Sequence, residues 1–473
     1  MKSTQKTNKN KYIYILILLF KLSCDVAYYF AVSPTFDYMR YYISFNALKL
    51  LVGWAAVLVM SLRFNRLYTN GKINFSTAIL FLLYLLSYIP SMTLVGFMDL
   101  DWIYFLLLNA YWGLMVLLEY VFCAKKAKKR VAFTEIQPAL PVFSTVELDK
   151  TNLLNFKTAL IQKRHIILAI SVITIIMTLY FSYRYVGLRI NLNLLEAYDL
   201  RYGDIRGLDG VFQYLYIWVG VVLALLTARS FFKKKYLLFL ILLFSMMIYY
   251  SIEGSRTLFF IIPLAIIACY IYNKGKFNII LLGFIFLNVV TVLEAQYISG
   301  TKFFTGYWGM RTLFTPPMLS SVYYDFFSTN PLDYLAQGVM RYFGVKSYYD
   351  VSIKNLLNVL YFGGDISGSV NTGLFGEAYS NFGAWSVIIY PVFMLGIFKY
   401  INFFSKGLPI NENFLFIIYY VQAFLNASPF TVLLTNGLLI VTLLLSQIKK
   451  ESELERRIKD FKRSYAKKIR APA

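Results

Sequence analysis

Histidine occurs once in this chain of 473 residues, cysteine three times, and charged side chains make up only 15% of it. The lone imidazole, His165, stands at the end of an apolar segment that the charge pattern assigns to the inner side, so no outward histidine is on hand as base or metal ligand. Cys24, Cys123 and Cys269 all lie in or beside apolar runs. That excludes a disulfide framework, a thiolate zinc site and a haem attachment motif. No Walker-type loop, GxSxG elbow or HExxH motif occurs. No cofactor and no metal are expected.

What abounds is apolar surface: 59% of residues are hydrophobic and 19% aromatic, with a mean hydropathy of +0.58. This is the composition of an integral membrane protein. A bilayer core takes roughly 20 apolar residues per helix. Twelve such segments are predicted, near 12–31, 42–62, 75–97, 102–123, 165–187, 211–227, 236–252, 257–272, 277–293, 381–398, 413–429 and 431–447. The expected fold is all-α, one polytopic membrane domain over 1–473. The first segment could pass for a signal peptide, with lysines before it and Ala31-Val32-Ser33 after it. Its length, and Lys21 and Asp25 four residues apart and able to pair inside a bundle, favour a retained span.

The net charge of +23 suggests nucleic acid until its placement is considered. With both termini cytoplasmic, the inner segments carry about +26 and the outer ones about −3, which together give +23. Every loop obeys the positive-inside rule. The basic inner loop 124–164 and tail 448–473 orient the chain and favour anionic lipid headgroups, and nucleic acid is not required. No internal repeat is visible, and the connection after span six is short, unlike the central inner loop of carriers built from two halves.

Basic residues on the outer side run against this rule and are therefore informative: Arg184, Arg189, Arg201, Arg206, Arg256, Arg311 and Arg341, with Lys302, Lys346 and Lys354. Arginine dominates, and its planar fork matches phosphate bidentately. An outward anionic substrate follows as an expectation. Arg256 lies in Glu253-Gly-Ser-Arg-Thr257, a turn between two apolar segments where Ser255 and Arg256 head a helix whose free N–H groups favour anions. A local pair with Glu253 is the alternative. The outer loop 188–210 interleaves Arg201 and Arg206 with Asp204, an arrangement that suits a binding site or mutual salt bridges equally. The large outer loop 294–380 holds Arg311 in Trp308-Gly-Met-Arg-Thr-Leu-Phe-Thr-Pro-Pro317, then Arg341 and many aromatic rings suited to sugars or to interface anchoring. The stretch Thr372-Gly-Leu-Phe-Gly-Glu-Ala-Tyr-Ser-Asn-Phe-Gly383 places Glu377 and Tyr379 near the outer boundary. In a drier environment, Glu377 could act as a general base, orient substrate or pair with an arginine. Asp99 and Asp101 form the only outer carboxylate pair close in sequence, a weak signal for a metal-dependent sugar transferase.

At these residues the chain resembles the bacterial O-antigen and oligosaccharide repeat-unit polymerases of the Wzy type. The resemblance rests on the many-span layout with one large outer loop, the Gly-Ser-Arg-Thr turn at Arg256, the Arg-Thr-Leu-Phe-Thr-Pro stretch from Arg311 and the glycine-bounded stretch ending at Gly383. It implies a metal-independent, GT-C-like glycosyltransferase at the outer face of the bacterial inner membrane. Its substrate would be an undecaprenyl-pyrophosphate-linked oligosaccharide, with a polysaccharide chain-length regulator as a candidate partner besides the lipid bilayer. Arg256 and Arg311 would hold the pyrophosphate, Arg201 and Arg206 would clamp it, and Glu377 would meet the acceptor hydroxyl, with Asp204 and Glu253 as competing carboxylates. Two other classes share features: a lipid-linked glycan flippase, which should carry more charge within its spans, and an O-antigen ligase, expected to use an outward histidine.

Overall fold

The computed structural model describes residues 4–69, 73–124, 150–188, 190, 210–253, 256–275, 277–300, 302–364 and 368–470. Among these the chain is helical, without a strand. In order the main helices are α1 (Thr4–Ala27), α2 (Ala47–Thr69), α3 (Phe75–Phe97), α4 (Trp102–Glu119), α5 (Lys150–Val186), α6 (Gly210–Phe232), α7 (Tyr236–Glu253), α8 (Arg256–Gly275), α9 (Phe277–Tyr297), α10 (Thr315–Phe327), α11 (Ile353–Phe362), α12 (Leu374–Phe382), α13 (Ser386–Ser405), α14 (Phe414–Asn426), α15 (Pro429–Leu433) and α16 (Leu438–Arg470). Eight helices among the described residues are long and apolar enough to cross a membrane, and Tyr236–Ile252 and Phe260–Asn273 are shorter apolar helices. The segment expected at 413–429 divides into α14 and α15 at Ser428-Pro429, where Ser428 Oγ accepts the Thr431 N–H at 3.1 Å and starts a new helix. The one expected at 431–447 begins at Leu438, after Gly437 at φ 70°, and runs on without a break into the charged tail.

The chain forms two compact units. In the first, comprising 1–127, 270–399 and 420–432, α3 is apolar on every side and buried throughout. It carries a π turn at Tyr84–Tyr88 just before Pro90, which absorbs the hydrogen bond that proline cannot make. Small residues bring α2 against it: a Cβ on Gly96 would stand 2.8 Å from Leu50 Cα, and one on Gly53 3.0 Å from the Met92 carbonyl.

Charged side chains buried inside this unit are engaged by ion pairs or hydroxyl groups. Lys21 and Asp25 form the expected ion pair within α1, both buried. Thr93 Oγ1 donates to Asp25 at 2.7 Å and accepts from Lys21 at 3.0 Å, while Trp54 donates to the other carboxylate oxygen at 2.9 Å. Glu119 accepts from Ser76 and Thr77. Lys49 bonds the carbonyls of Asp99 and Leu100 beyond the end of α3 and pairs with the Asp99 carboxylate at 2.7 Å.

Within 294–380, the span expected to be one large loop, the described chain is mostly helical. Glu294 receives the N–H groups of Phe304 and Thr305, starting a π-helical segment at Thr305–Phe314, while Lys302 bonds the carbonyls of Glu294 and Ala295 at the end of α9. This reciprocal capping turns the chain straight back into helix. Pro316 and Pro317 then open α10, where missing N–H groups cost nothing.

The second unit, comprising 128–269, 400–419 and 433–473, centres on α5, α6, α7 and α16. Gly220 lets the Tyr249 ring lie against α6, and Tyr249 stacks on Tyr216 with centroids 4.6 Å apart. At one end, Glu451 and Glu455 of α16 pair with Arg164 of α5 and with Arg229 and Lys233 at the close of α6.

Candidate functional site

Arg201, Asp204, Arg206 and Ser255 lie outside the described residues. Arg256 heads α8 and Glu253 closes α7, as the turn motif predicts, while their side chains lie outside the described set. Arg311 sits in the π-helical segment, exposed, with its guanidinium 5.4 Å from the Tyr307 ring centroid. Arg341 is exposed in a 3-10 turn, Val339–Phe343. The structure brings Glu377 and Tyr379 together with α10, and it is around these two that a site takes shape.

Glycines make that approach possible. A Cβ on Gly376 would come within 3.0 Å of Ser320 Cα, and one on Gly373 within 2.1 Å of the Phe424 carbonyl oxygen. With α12 held so closely, Tyr379 lies against Tyr324 at 4.9 Å and Phe375 at 5.7 Å. Phe375 in turn meets the edges of Tyr104 and Tyr111 from α4. Glu377, half-buried in the first turn of α12, has Lys354 and Asp333 within electrostatic reach. Asn381, one turn on, donates to its backbone carbonyl at 2.8 Å. Tyr323 and Tyr390 also feel the Glu377 charge, and Tyr390 is coupled to Tyr111. The Tyr111 hydroxyl is fully buried and makes no hydrogen bond among the described residues.

The segment from Asn330 to Ser352 is fastened to the C-terminal end of α12. Asp333 N–H donates to the Ser380 carbonyl at 3.0 Å and Leu335 N–H to Asn381 Oδ1 at 2.7 Å. The Asp333 carboxylate accepts from Gln337 N–H and Ser347 Oγ, and Gln337 ties down Ile353 and Val351. Lys354, in the first turn of α11, follows directly from this anchored segment.

Sequence reasoning passes over a second cluster of the same unit. Arg40, in the left-handed region at φ 68°, lays its guanidinium 4.7 Å from the Tyr361 ring centroid. Its charge acts on Asp325. Asp101, the N-cap of α4, accepts the Ile103 N–H on one oxygen and the Tyr324 hydroxyl on the other, at 2.5 Å. Asp325 is accessible to water, yet protein fills enough of its surroundings to push its carboxyl up to about 6 by desolvation, with Arg40 opposing and Asp101 adding to the rise. Asp99 behaves oppositely: hydrogen bonds from Lys49 and Asn46 hold it below the ordinary carboxylate range. Asp99 and Asp101 therefore serve different partners. Tyr324, packed on Tyr379, connects this cluster to α12. Adjacent Tyr324 and Asp325, four sequence-distant segments and an unusual backbone at Arg40 make it, and no local motif signals it.

The arrangement offers a carboxylate within electrostatic reach of a cation, a second carboxyl pushed up to about 6, and aromatic faces bearing hydroxyls. Such a surface can bind a polyhydroxylated ligand and accept a proton. Among the described residues no three His, Cys, Asp or Glu side chains gather as a metal-binding group. No family model, curated protein or solved structure matches this chain.

Proposed function

We propose that this protein polymerises undecaprenyl-pyrophosphate-linked oligosaccharide repeats, as a twelve-span, GT-C-like glycosyltransferase of the bacterial inner membrane with its site on the outer face. The observation that carries the reading is Glu377, within electrostatic reach of Lys354 and Asp333 and of the tyrosines Tyr323 and Tyr390. In the reaction the acceptor sugar hydroxyl attacks the anomeric carbon of the donor glycan. The bond from that carbon to the pyrophosphate oxygen breaks, the leaving oxygen keeps the electron pair, and the hydroxyl proton passes to Glu377. In the roles that the sequence resemblance implies, Arg256 and Arg311 would neutralise charge growing on the pyrophosphate, with Arg201, Arg206 and Arg341 as outer contacts, and Ser255, Asp204, Glu253 and Tyr379 as further substrate contacts. Preorganised donors of this kind are worth about 10²- to 10³-fold in rate each. A chain-length regulator is the proposed protein partner.

A flippase is disfavoured because Lys21, Asp25 and Lys49, among the few charges within the apolar segments, are engaged by neighbouring groups. The test supplies purified protein in nanodiscs with one authenticated lipid-linked repeat and follows product length by gel and mass spectrometry. A ladder from wild type that collapses by about 100-fold in Arg256→Ala and in Glu377→Gln supports the reading. No ladder, with movement of the intact lipid between vesicle leaflets, replaces it with transport. Transfer to a lipid A acceptor instead of a second repeat would identify a ligase.

A further inference from the structure

In the second unit a cavity of about 120 Å³ opens where α5, α6, α7 and α16 meet. Arg164, His165, Arg229, Lys233 and Lys235 line it, against one acidic residue, Glu451. The carboxylates do not cancel the cations. Glu451 pairs with Arg229 and Arg164, and Glu455 with Arg164 and Lys233, leaving four permanent cations against two anions. Glu451 is 3% exposed, so these pairs also fix the two guanidinium groups in place. Lys235 lines the cavity and takes part in none of the ion pairs seen among the described residues.

The remaining wall is made by Ile167, Leu168, Leu226 and Leu238, with the hydroxyl residues Ser171 and Ser230. Leu168 is also exposed outward, and Val172 and Ile176 continue the same face of α5 at four-residue spacing, all three exposed. On α7, Leu237, Ile241 and Phe244 begin a second exposed apolar row within a turn of the cavity. Both α5 and α6 contain candidate membrane spans. A basic cradle thus borders apolar columns on helices that suit a bilayer.

We propose that this cavity binds the phosphate of an anionic phospholipid, with the acyl chains lying along the exposed faces of α5 and α7. The permanent positive excess selects an anionic headgroup over a zwitterionic one. The bordering columns select a diacyl lipid over free phosphate, because a free anion gains nothing from Val172, Ile176 or Phe244. None of the cavity's lining residues is among those assigned to the proposed reaction, so this inference does not rest on it.

The experiment uses the full-length protein in detergent. Native mass spectrometry counts bound lipid during titration with dioleoylphosphatidylglycerol or dioleoylphosphatidylcholine, with inorganic phosphate as a third arm. One phosphatidylglycerol retained in preference to phosphatidylcholine, weakened about 10-fold by Lys235→Glu and by added salt, is expected. Lys235→Glu leaves the pairs of Glu451 and Glu455 intact. Lys462→Glu, an exposed charge change farther along α16, should bind as wild type does. Equal retention of the two lipids, or unchanged binding by Lys235→Glu, overturns the proposal. So does displacement of the lipid by inorganic phosphate at concentrations matching the lipid's own, which would mean a simple anion site.

Discussion

The Tyr324 hydroxyl donates to Asp101 across 2.5 Å, joining α10 to the residue that caps α4. The donor is a phenol and the acceptor a carboxylate oxygen, so the bond belongs to the stronger, charge-assisted class. Asp101 would keep its capping bond to Ile103 in Tyr324→Phe, and the ring would still pack on Tyr104 and Tyr379. The expected loss is therefore about 1.5–3 kcal/mol from this bond alone, visible as a lower thermal midpoint in detergent. Asp101→Ala should cost more, since it removes the cap as well. Equal midpoints for Tyr324→Phe and wild type would show that the bond contributes nothing.

The buried pair in α1 sets up a cycle with a definite sign. Lys21→Met leaves Asp25 charged, buried and bonded only by Trp54 and Thr93. Removing one partner of a buried pair costs about 3–5 kcal/mol. Adding Asp25→Asn removes the stranded charge while retaining an acceptor for Trp54. The double variant should therefore melt higher than Lys21→Met alone, an outcome that thermal unfolding of the two proteins decides. Additive losses would mean the two side chains are not coupled.

Much of the membrane architecture was legible from composition and apolar periodicity, because a helix in lipid must be apolar over its whole length. The Lys21–Asp25 pair was legible too, since spacing of four places both on one helical face. The helices inside 294–380 were not. Pro316 and Pro317, in a stretch expected to be loop, stand in the first turn of α10, and Glu294 starts the preceding segment through contacts ten and eleven residues away. The glycine-bounded stretch that drew attention to Glu377 and Tyr379 is a helix packed closely on α10. Arg40, Asp101, Asp325 and Tyr361 were not recognised as a group, because their neighbourhood is created only by tertiary packing. The arginine count outside pointed toward an anion, yet the cation beside Glu377 is Lys354 of α11.

Asp325 should give the first unit a pH dependence. Its carboxyl ordinarily titrates at 3.8 and is pushed up to about 6 in the folded protein, chiefly by desolvation. Between these values the folded state binds a proton that the unfolded chain has released, so stability falls as pH rises from about 4 to about 6. Above that range the ionised group carries its full cost. Asp325→Asn should then be more stable than wild type at pH 8 and no more stable at pH 4. Solvent reaches this carboxylate, so the gain should stay under about 1 kcal/mol. Thermal unfolding of both proteins across pH 4–8 checks the sign, and a variant less stable than wild type at pH 8 would contradict the assignment.

Gly376 provides the sharpest test of how α12 is held. Its backbone is helical, so Ala would be favoured locally by about 1 kcal/mol. The added Cβ would nevertheless meet Thr372 Oγ1 at 2.8 Å and Ser320 Cα at 3.0 Å. The hydroxyl can rotate away, whereas the α10 backbone can yield only by moving the helix. Such overpacking costs about 1–3 kcal/mol and outweighs the propensity gain. Because Tyr324 is one turn beyond Ser320 on α10 and packs on Tyr379, the shift should also disturb the contacts around Glu377. Gly376→Ala should therefore lower both the melting midpoint and any product ladder. Gly396→Ala makes the same substitution within α13, where a Cβ meets nothing within 4 Å, and should leave both unchanged or raise stability slightly. If the two variants behave alike, close approach of α12 to α10 is not what the glycine secures.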